Sequence, residues 1–341
     1  MLISSTLWRS QPAYLITTDS LSFVVTVIGA HLASLTLATD GSELNPLWQP
    51  RWPAGKPTDV GEEKTWGEGI DAPLLATIVG SNLCCDRFGA SYPNETPRPL
   101  HGEAGVLPWA RVMDSESDSE KSEKSFTFHV TLPIAQLSVL RSFAVKGTTL
   151  HITTSLTLSP SVASPQNVEV CEHTTLGNAF LDDCVITASV ADLAYEMPSD
   201  NDTSPLPQSL PSVSALRVPP CDAPPEGSVR VALVTAPVDA QWMATNERLR
   251  RRLTVGWKTA EFPWLTLWTE HRQRSIVPWA GEERARGMEL TTKPFPQVPP
   301  ESRAETFLGI PTRIMCSPGQ TITKNVSFTL CDLDTCVEAA A

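Results

Sequence analysis

Along most of this chain, apolar side chains alternate with hydroxyl-bearing ones at every second position. From Thr149 to Ser159, the apolar residues Leu150, Ile152, Leu156 and Leu158 are spaced by threonine, serine and histidine. This is the period of a half-buried strand, whose successive side chains face opposite ways. Similar short runs occupy Leu21 to Ile28, Ser125 to Val130, Ser228 to Thr235, Arg252 to Trp257, Trp264 to Thr269 and Asn325 to Leu330. They are rich in β-branched residues and separated by turn-forming ones. Helical periodicity is weak, with Asp239 to Arg251 the best candidate, and 30 prolines and 18 glycines interrupt the chain too often for long helices. The pattern predicts an all-β protein built as an antiparallel sandwich or barrel. No repeat of fixed period runs through it, which argues against a propeller or solenoid.

Two stretches break the alternation. Asp114 to Ser125 consists almost entirely of Asp, Ser, Glu and Lys, and Glu196 to Gly227 places eight prolines among Ser and Asp. Neither composition supports a core; the second could link two domains, but strand signals of the same kind resume after it, which favours a long loop. The expected organisation is therefore a single domain over residues 1–341 with surface insertions near 114–125 and 196–227.

Composition then removes several classes of function. Hydrophobic residues make up 41% and charged residues 19% of the chain, enough for a sizeable core, and the net charge is −12. Such a balance repels phosphate backbones and anionic lipid, so neither nucleic acid nor a membrane is an expected partner. No apolar run reaches eighteen residues and the first thirty positions lack a signal-peptide core, so a cytoplasmic location is expected. Eight cysteines are scattered without a tight spacing pattern, which predicts reduced thiols.

Three residues stand out as candidate chemistry. His101 lies in the glycine-containing turn Leu100-His101-Gly102-Glu103-Ala104-Gly105, and glycines there let the backbone approach a ligand. His173 follows a strand expected to end near Val168 to Cys171, where it faces either the core or a cleft. Glu289 sits in the apolar, hydroxyl-rich stretch Gly287-Met288-Glu289-Leu290-Thr291-Thr292, where burial would raise a carboxyl pKa into the range of a general base. Alternatively, Glu289 is an exposed strand residue paired with Arg286 or Lys293.

Taken in order, the segments Gly29-Ala30-His31-Leu32-Ala33-Ser34-Leu35, Asn45-Pro46-Leu47-Trp48, Leu100-His101-Gly102, Glu172-His173-Thr174-Thr175-Leu176-Gly177, Gly287-Met288-Glu289 and Ser317-Pro318-Gly319-Gln320 resemble the aldose 1-epimerase (galactose mutarotase) family, of which the chain looks like a divergent branch. The resemblance implies a large antiparallel β-sandwich whose concave face binds a small-molecule carbohydrate, in a monomer or homodimer, with no metal or organic cofactor. It implies that Glu289 takes the proton of the C1 hydroxyl, His173 protonates the ring oxygen and His101 steadies the open form, so that ring opening and closure interconvert the α and β anomers. Arg87 is offered as a displaced counterpart of the family's arginine, and Asp239 as that of an aspartate holding sugar hydroxyls. Of the tryptophans flanking these segments, namely Trp66, Trp109, Trp264, Trp268 and Trp279, Trp268 is the expected stacking surface.

Three rivals are kept in view. A hexose-6-phosphate mutarotase would need a basic rim, for which Arg248, Arg250, Arg251, Arg252, Arg272 and Arg274 are available. A non-catalytic sugar-binding or regulatory protein would keep the sandwich without turnover. A lyase or hydrolase would require Glu103 or Glu172 as a second acid opposite Glu289.

Overall fold

The computed structural model describes residues 1–38, 44–59, 64–92, 95–112, 125–196, 208–296 and 306–335. Two antiparallel sheets dominate. The larger has twelve strands, in the order Leu2–Trp8, Gln11–Thr17, Leu21–Thr26, Leu32–Leu37, Ser81–Asp86, Gln166–Gly177, Arg284–Thr291, Trp264–His271, Glu226–Val234, Val190–Glu196 and Gln208–Pro211, with Ile314–Cys316 pairing off Gln166–Gly177. The smaller has eight, in the order Cys184–Ala188, Asp239–Asn246, Arg251–Lys258, Thr321–Asp332, Thr149–Leu158, Leu137–Lys146, Phe126–Leu132 and Ala110–Val112. The expected β-sandwich is the fold observed.

The alternation read from the sequence is the alternation of burial. In Thr149–Leu158, Leu150, Ile152, Leu156 and Leu158 are almost inaccessible and Thr154 is buried with them, while Thr149, His151, Thr153, Ser155 and Thr157 form the outer face. Those inner leucines join Phe23, Phe126, Phe128, Phe143, Trp242 and Phe328 in one core between the sheets. At roughly 1.5–3 kcal/mol per fully buried large apolar side chain, this shared core is the main force holding the sheets together.

The central strands of the large sheet are different. Every residue of Ser81–Asp86, and all of Gln166–Gly177 after its first two, is buried, so both faces of these strands are covered. This continuous burial is why period two fades there, and why a strand expected to stop near Cys171 runs on to Gly177. His173 is thus a mid-strand residue.

Two further expectations are corrected. Asp239 to Arg251 is not a helix but the strand Asp239–Asn246 followed by a turn. Its inward side chains Ala240, Trp242, Ala244 and Asn246 alternate with outward ones, and both neighbouring strands pair with it. Part of the stretch expected to be a coreless surface insertion is also built in. Gln208–Pro211 forms an edge strand and Ser212–Leu216 a short helix whose Ala215 and Leu216 are buried. Residues 197–207, and all but Ser125 of the 114–125 insertion, lie outside the described residues. Among the described residues no helix is long and apolar enough to cross a membrane. Cys84, Cys85, Cys171, Cys184, Cys221 and Cys316 are free thiols, whereas Cys331 is disulfide-bonded, contrary to the expectation of uniformly reduced cysteines.

Candidate active site

Strand register assembles the site. In the large sheet His173 lies directly opposite Asn82 on one side and Glu289 on the other, and Glu289 lies opposite Thr266. Directly paired residues of antiparallel strands project from the same face, so Asn82, His173, Glu289 and Thr266 form one cross-strand row. The other face of the same strands carries Leu83, Glu172 and Leu290 toward the smaller sheet. Their neighbour Glu172 meets Arg141 of that sheet. His173 and Glu289 therefore stand on the surface of the large sheet turned away from the shared core.

Within the row, His173 Nε2 lies 3.1 Å from Glu289 Oε1, and its Nδ1 lies 3.2 Å from Thr175 Oγ1. Glycine at 287 makes room for this contact, because a Cβ there would come within 2.6 Å of Glu289 Oε1 and 3.0 Å of Trp268 Cβ. His101 reaches the pair from the loop after Ser81–Asp86, its ring centroid 5.5 Å from that of His173. His101 has a left-handed backbone (φ 63), and Gly102 after it (φ 85) packs so closely that a Cβ would meet Cys85 O at 2.3 Å. Gly89 N donates to His101 Nδ1 at 3.1 Å, which leaves Nε2 as the protonated nitrogen of the neutral ring.

All three candidate catalytic residues thus converge, but not in an open cleft. His173 is 5% and Glu289 3% exposed. A shell of tryptophans crowds one side. Trp268 lies 6.0 Å from His173 between ring centroids, Trp279 5.7 Å from Trp268, and Trp48 stacks on Trp279 at 5.9 Å with an interplanar angle of 7°. The Arg274 guanidinium lies over both Trp279, at 4.7 Å, and Trp268, at 5.5 Å. Trp66 belongs to this cluster, while Trp109 and Trp264 are core residues.

Burial sets the protonation of the site. It pushes the Glu289 carboxyl up to about 8, against a smaller opposing pull from Arg286. It lowers the His173 imidazole to about 4, despite a hydrogen bond from the ring to its own backbone. For His101 burial is again the largest cause, with His173, Arg274 and Lys293 adding to it, and the imidazole falls to about 3. His31, in the core, is held at about 3 by burial and by Arg141. The expectation of a buried, raised-pKa carboxyl at Glu289 therefore holds, and the alternative pairing does not. Arg286 donates to Thr269 and to the Ala215 carbonyl, and Lys293 pairs with Glu169.

These shifts predict acid lability. A histidine with a lowered native pKa contributes stability that is present above its unfolded value, near 6.5, and lost as pH falls toward the native value. A carboxyl raised as Glu289 is has the opposite sign: its contribution is present below about 4.5 and lost as pH rises to about 8. Between pH 6.5 and 4.5 the unfolded chain takes up three protons, at His31, His101 and His173, while the native state already holds one at Glu289. The net uptake of about two protons at these four groups makes unfolding easier by roughly 3 kcal/mol per pH unit. Urea midpoints measured from pH 6.5 down to 4.5 should fall steeply, and a flat series would contradict these protonation states.

The remaining predicted contacts divide. Trp268 is at the site. Arg87 is close by in sequence to the His101 loop but is occupied: it donates to Asp86 Oδ2 at 3.1 Å and to Glu95 Oε2 at 2.7 Å, and its guanidinium lies 5.5 Å from the Tyr92 ring centre. That network, joined by Arg98, braces the loop carrying His101. Asp239 is not brought to the site at all. It opens a strand of the smaller sheet, exposed and opposite Lys258, because the segment read as helical belongs to the other layer.

The basic rim also disperses. Arg248, Arg250 and Arg251 pair with Asp183, Asp334 and Asp332, and Arg252 donates to Thr245, all at the smaller sheet. Arg272 meets His271 and the Ala223 carbonyl, and Arg274, paired with Glu270 at 3.4 Å, lies beside the tryptophans. The second acid needed for hydrolysis is absent from both expected positions. Glu172 is bound to Arg141, and Glu103 accepts from the backbone N–H groups of Ile134 and Ala135. Asn82 and Trp52, which meets Trp48 edge-on at 5.5 Å, were not anticipated as site residues. Only the register of a doubly buried strand reveals Asn82, and the segment Asn45-Pro46-Leu47-Trp48 had marked Trp48.

Comparison with solved structures gives the same fold. The chain is similar to a galactose mutarotase related enzyme from Lactobacillus acidophilus, at 12% identity and a TM-score of 0.63, over 94% of this chain and 97% of that one. It is also similar to galactose mutarotase-like proteins from Clostridium acetobutylicum, at 11% identity and a TM-score of 0.62 over 97% and 98%, and from Lactobacillus casei, at 13% and 0.58 over 94% and 100%. No family model and no curated protein matches the sequence. The chain has the galactose mutarotase-like fold.

Proposed function

We propose that the protein is an aldose 1-epimerase-like enzyme that interconverts the α and β anomers of an aldose by acid–base ring opening. The observation that carries this reading is the buried contact of Glu289 with His173 at 3.1 Å, beside His101. A carboxyl raised to about 8 and an imidazole lowered to about 4 hold one proton between them at neutral pH. Mutarotation requires one group to take the C1 hydroxyl proton while another protonates the ring oxygen.

With Glu289 ionised and His173 protonated, Glu289 takes the C1 proton as the C1–ring oxygen bond breaks, and His173 gives its proton to that oxygen. The products are the open aldehyde, neutral Glu289 and neutral His173. Rotation about C1–C2 and closure with the roles reversed yield the other anomer and restore the pair. Both protonation states belong to the same singly protonated dyad, so the cycle needs no external proton. His101, donating from Nε2, stabilises charge on the opening oxygen. A positioned acid and base of this kind contribute about 10²–10⁴-fold each, enough for a reaction that already proceeds in water.

The test is polarimetric. Purified protein should accelerate the optical-rotation decay of freshly dissolved α-D-glucose or α-D-galactose. A 6-phosphorylated hexose is the second reading, favoured by Arg274, whose guanidinium spans Trp268 and Trp279, and glucose 6-phosphate belongs in the same assay. Acceleration with none of these would overturn turnover and leave a sugar-binding protein on this fold.

A further inference from the structure

We infer that Asn82 is a substrate-contacting residue that accepts a hydrogen bond from a sugar hydroxyl near the anomeric carbon. The inference rests on the reading of the site as a sugar site and assigns it a residue that neither motif nor spacing suggests.

Asn82 is fully buried, yet its Oδ1 has no hydrogen-bond partner among the described residues. Its amide nitrogen is directed to Cys84 Sγ at 3.6 Å, a weak contact that orients the amide and leaves the carbonyl oxygen as the orphan. Buried polar side chains are normally satisfied, and one that is not has an unmet partner or a functional reason. The location supplies the reason. Asn82 faces His173 directly across the strand pair, in the row that ends in Glu289. Cross-strand neighbours of this kind hold their Cβ atoms about 4.5–5.5 Å apart.

His173 and Glu289 touch each other in the closed site, so a sugar ring that comes between them has to enter over this row. One of its hydroxyls then meets Asn82. The orphan atom accepts only, so the ligand group must be a donor, which a neutral hydroxyl is and a carboxylate or phosphate dianion is not. Arg274, over the tryptophans, and Asn82, in the sheet, thus address different parts of a ligand.

Asn82→Leu is close to isosteric and removes the orphan. Polarimetry on wild type and variant with glucose, galactose and their 2-, 3- and 4-deoxy analogues decides the question. Wild type should lose about 10- to 100-fold in kcat/KM on one deoxy position. The variant should lose a similar factor on the parent sugar and discriminate that deoxy analogue by less than about threefold, while its melting temperature stays equal or rises. Asn82→Ala repeats the test should the leucine variant not fold. Equal discrimination in wild type and variant, or a lowered melting temperature with unchanged kcat/KM, would overturn the assignment and leave Asn82 structural. A wild type that accelerates no aldose or sugar phosphate would instead remove the reading of the site, and this inference with it.

Discussion

Glu289→Gln is expected to lower the mutarotation rate by about 10³-fold, within the range for loss of a general base, while the protein stays folded. Glutamine matches the carboxyl in shape, and the space that Gly287 leaves for Glu289 Oε1 also accepts an amide. What it removes is the group that shares the single proton of the dyad. The wild-type rate should accordingly be highest between about pH 4 and about pH 8, the values for His173 and Glu289. It should fall above that range when the pair loses its proton and below it when the pair gains a second. These are the two macroscopic steps of a coupled pair rather than the property of either residue.

The variant should also differ in stability with the opposite trend to its activity. A carboxyl whose native pKa is raised opposes folding increasingly as pH climbs from about 4.5 to about 8, at about 1.4 kcal/mol per pH unit. Replacing it removes that opposition, so Glu289→Gln should gain on wild type in melting temperature across this interval. A variant that stays fully active, or whose stability tracks wild type at every pH, would remove Glu289 from the centre of the mechanism.

How much of this was legible depended on how many faces a strand exposes. Thr149–Leu158 has one buried and one open face, so its leucines and threonines spell out its structure. Gln166–Gly177 is covered on both, and its sequence Val-Glu-Val-Cys-Glu-His-Thr-Thr carries no period to read. The site lies in that second kind of strand, which is why the order of short motifs pointed to His101, His173 and Glu289 while the local pattern did not. Asp239 failed for a related reason: a search for an aspartate between His173 and Glu289 in sequence takes no account of which sheet the chain has entered. Arg87 and Arg274 depart from expectation because the sequence does not show what their guanidinium groups meet. Asp86 and Glu95 claim the first, and Trp268 and Trp279 seat the second.

The same double burial places an ion pair directly behind the row that carries His173 and Glu289, and its removal should have the largest effect on stability. Glu172, one residue before His173, points into the space between the sheets and binds Arg141 of Leu137–Lys146 through two hydrogen bonds of 2.8 Å. Ser81 Oγ donates to Glu172 at 2.6 Å, and Thr154 Oγ1 accepts from Arg141 at 3.2 Å. The Arg141 side chain is 0% and that of Glu172 3% exposed, so either charge left alone would be stranded without water. Glu172→Leu and Arg141→Met should each cost about 3–5 kcal/mol, whereas the double variant, which leaves neither charge buried and keeps only the Ser81 and Thr154 hydroxyls beside it, should cost far less than their sum. Chemical denaturation of the four proteins measures this coupling. Additive losses, or single variants within about 1 kcal/mol of wild type, would mean the pair is solvated or independent. If the coupling is found, the double variant also separates packing from chemistry, because it keeps His173, Glu289 and His101 while changing what lies beneath them. Its mutarotation rate then measures how far the site depends on the charge behind the sheet and how far on the strand register alone.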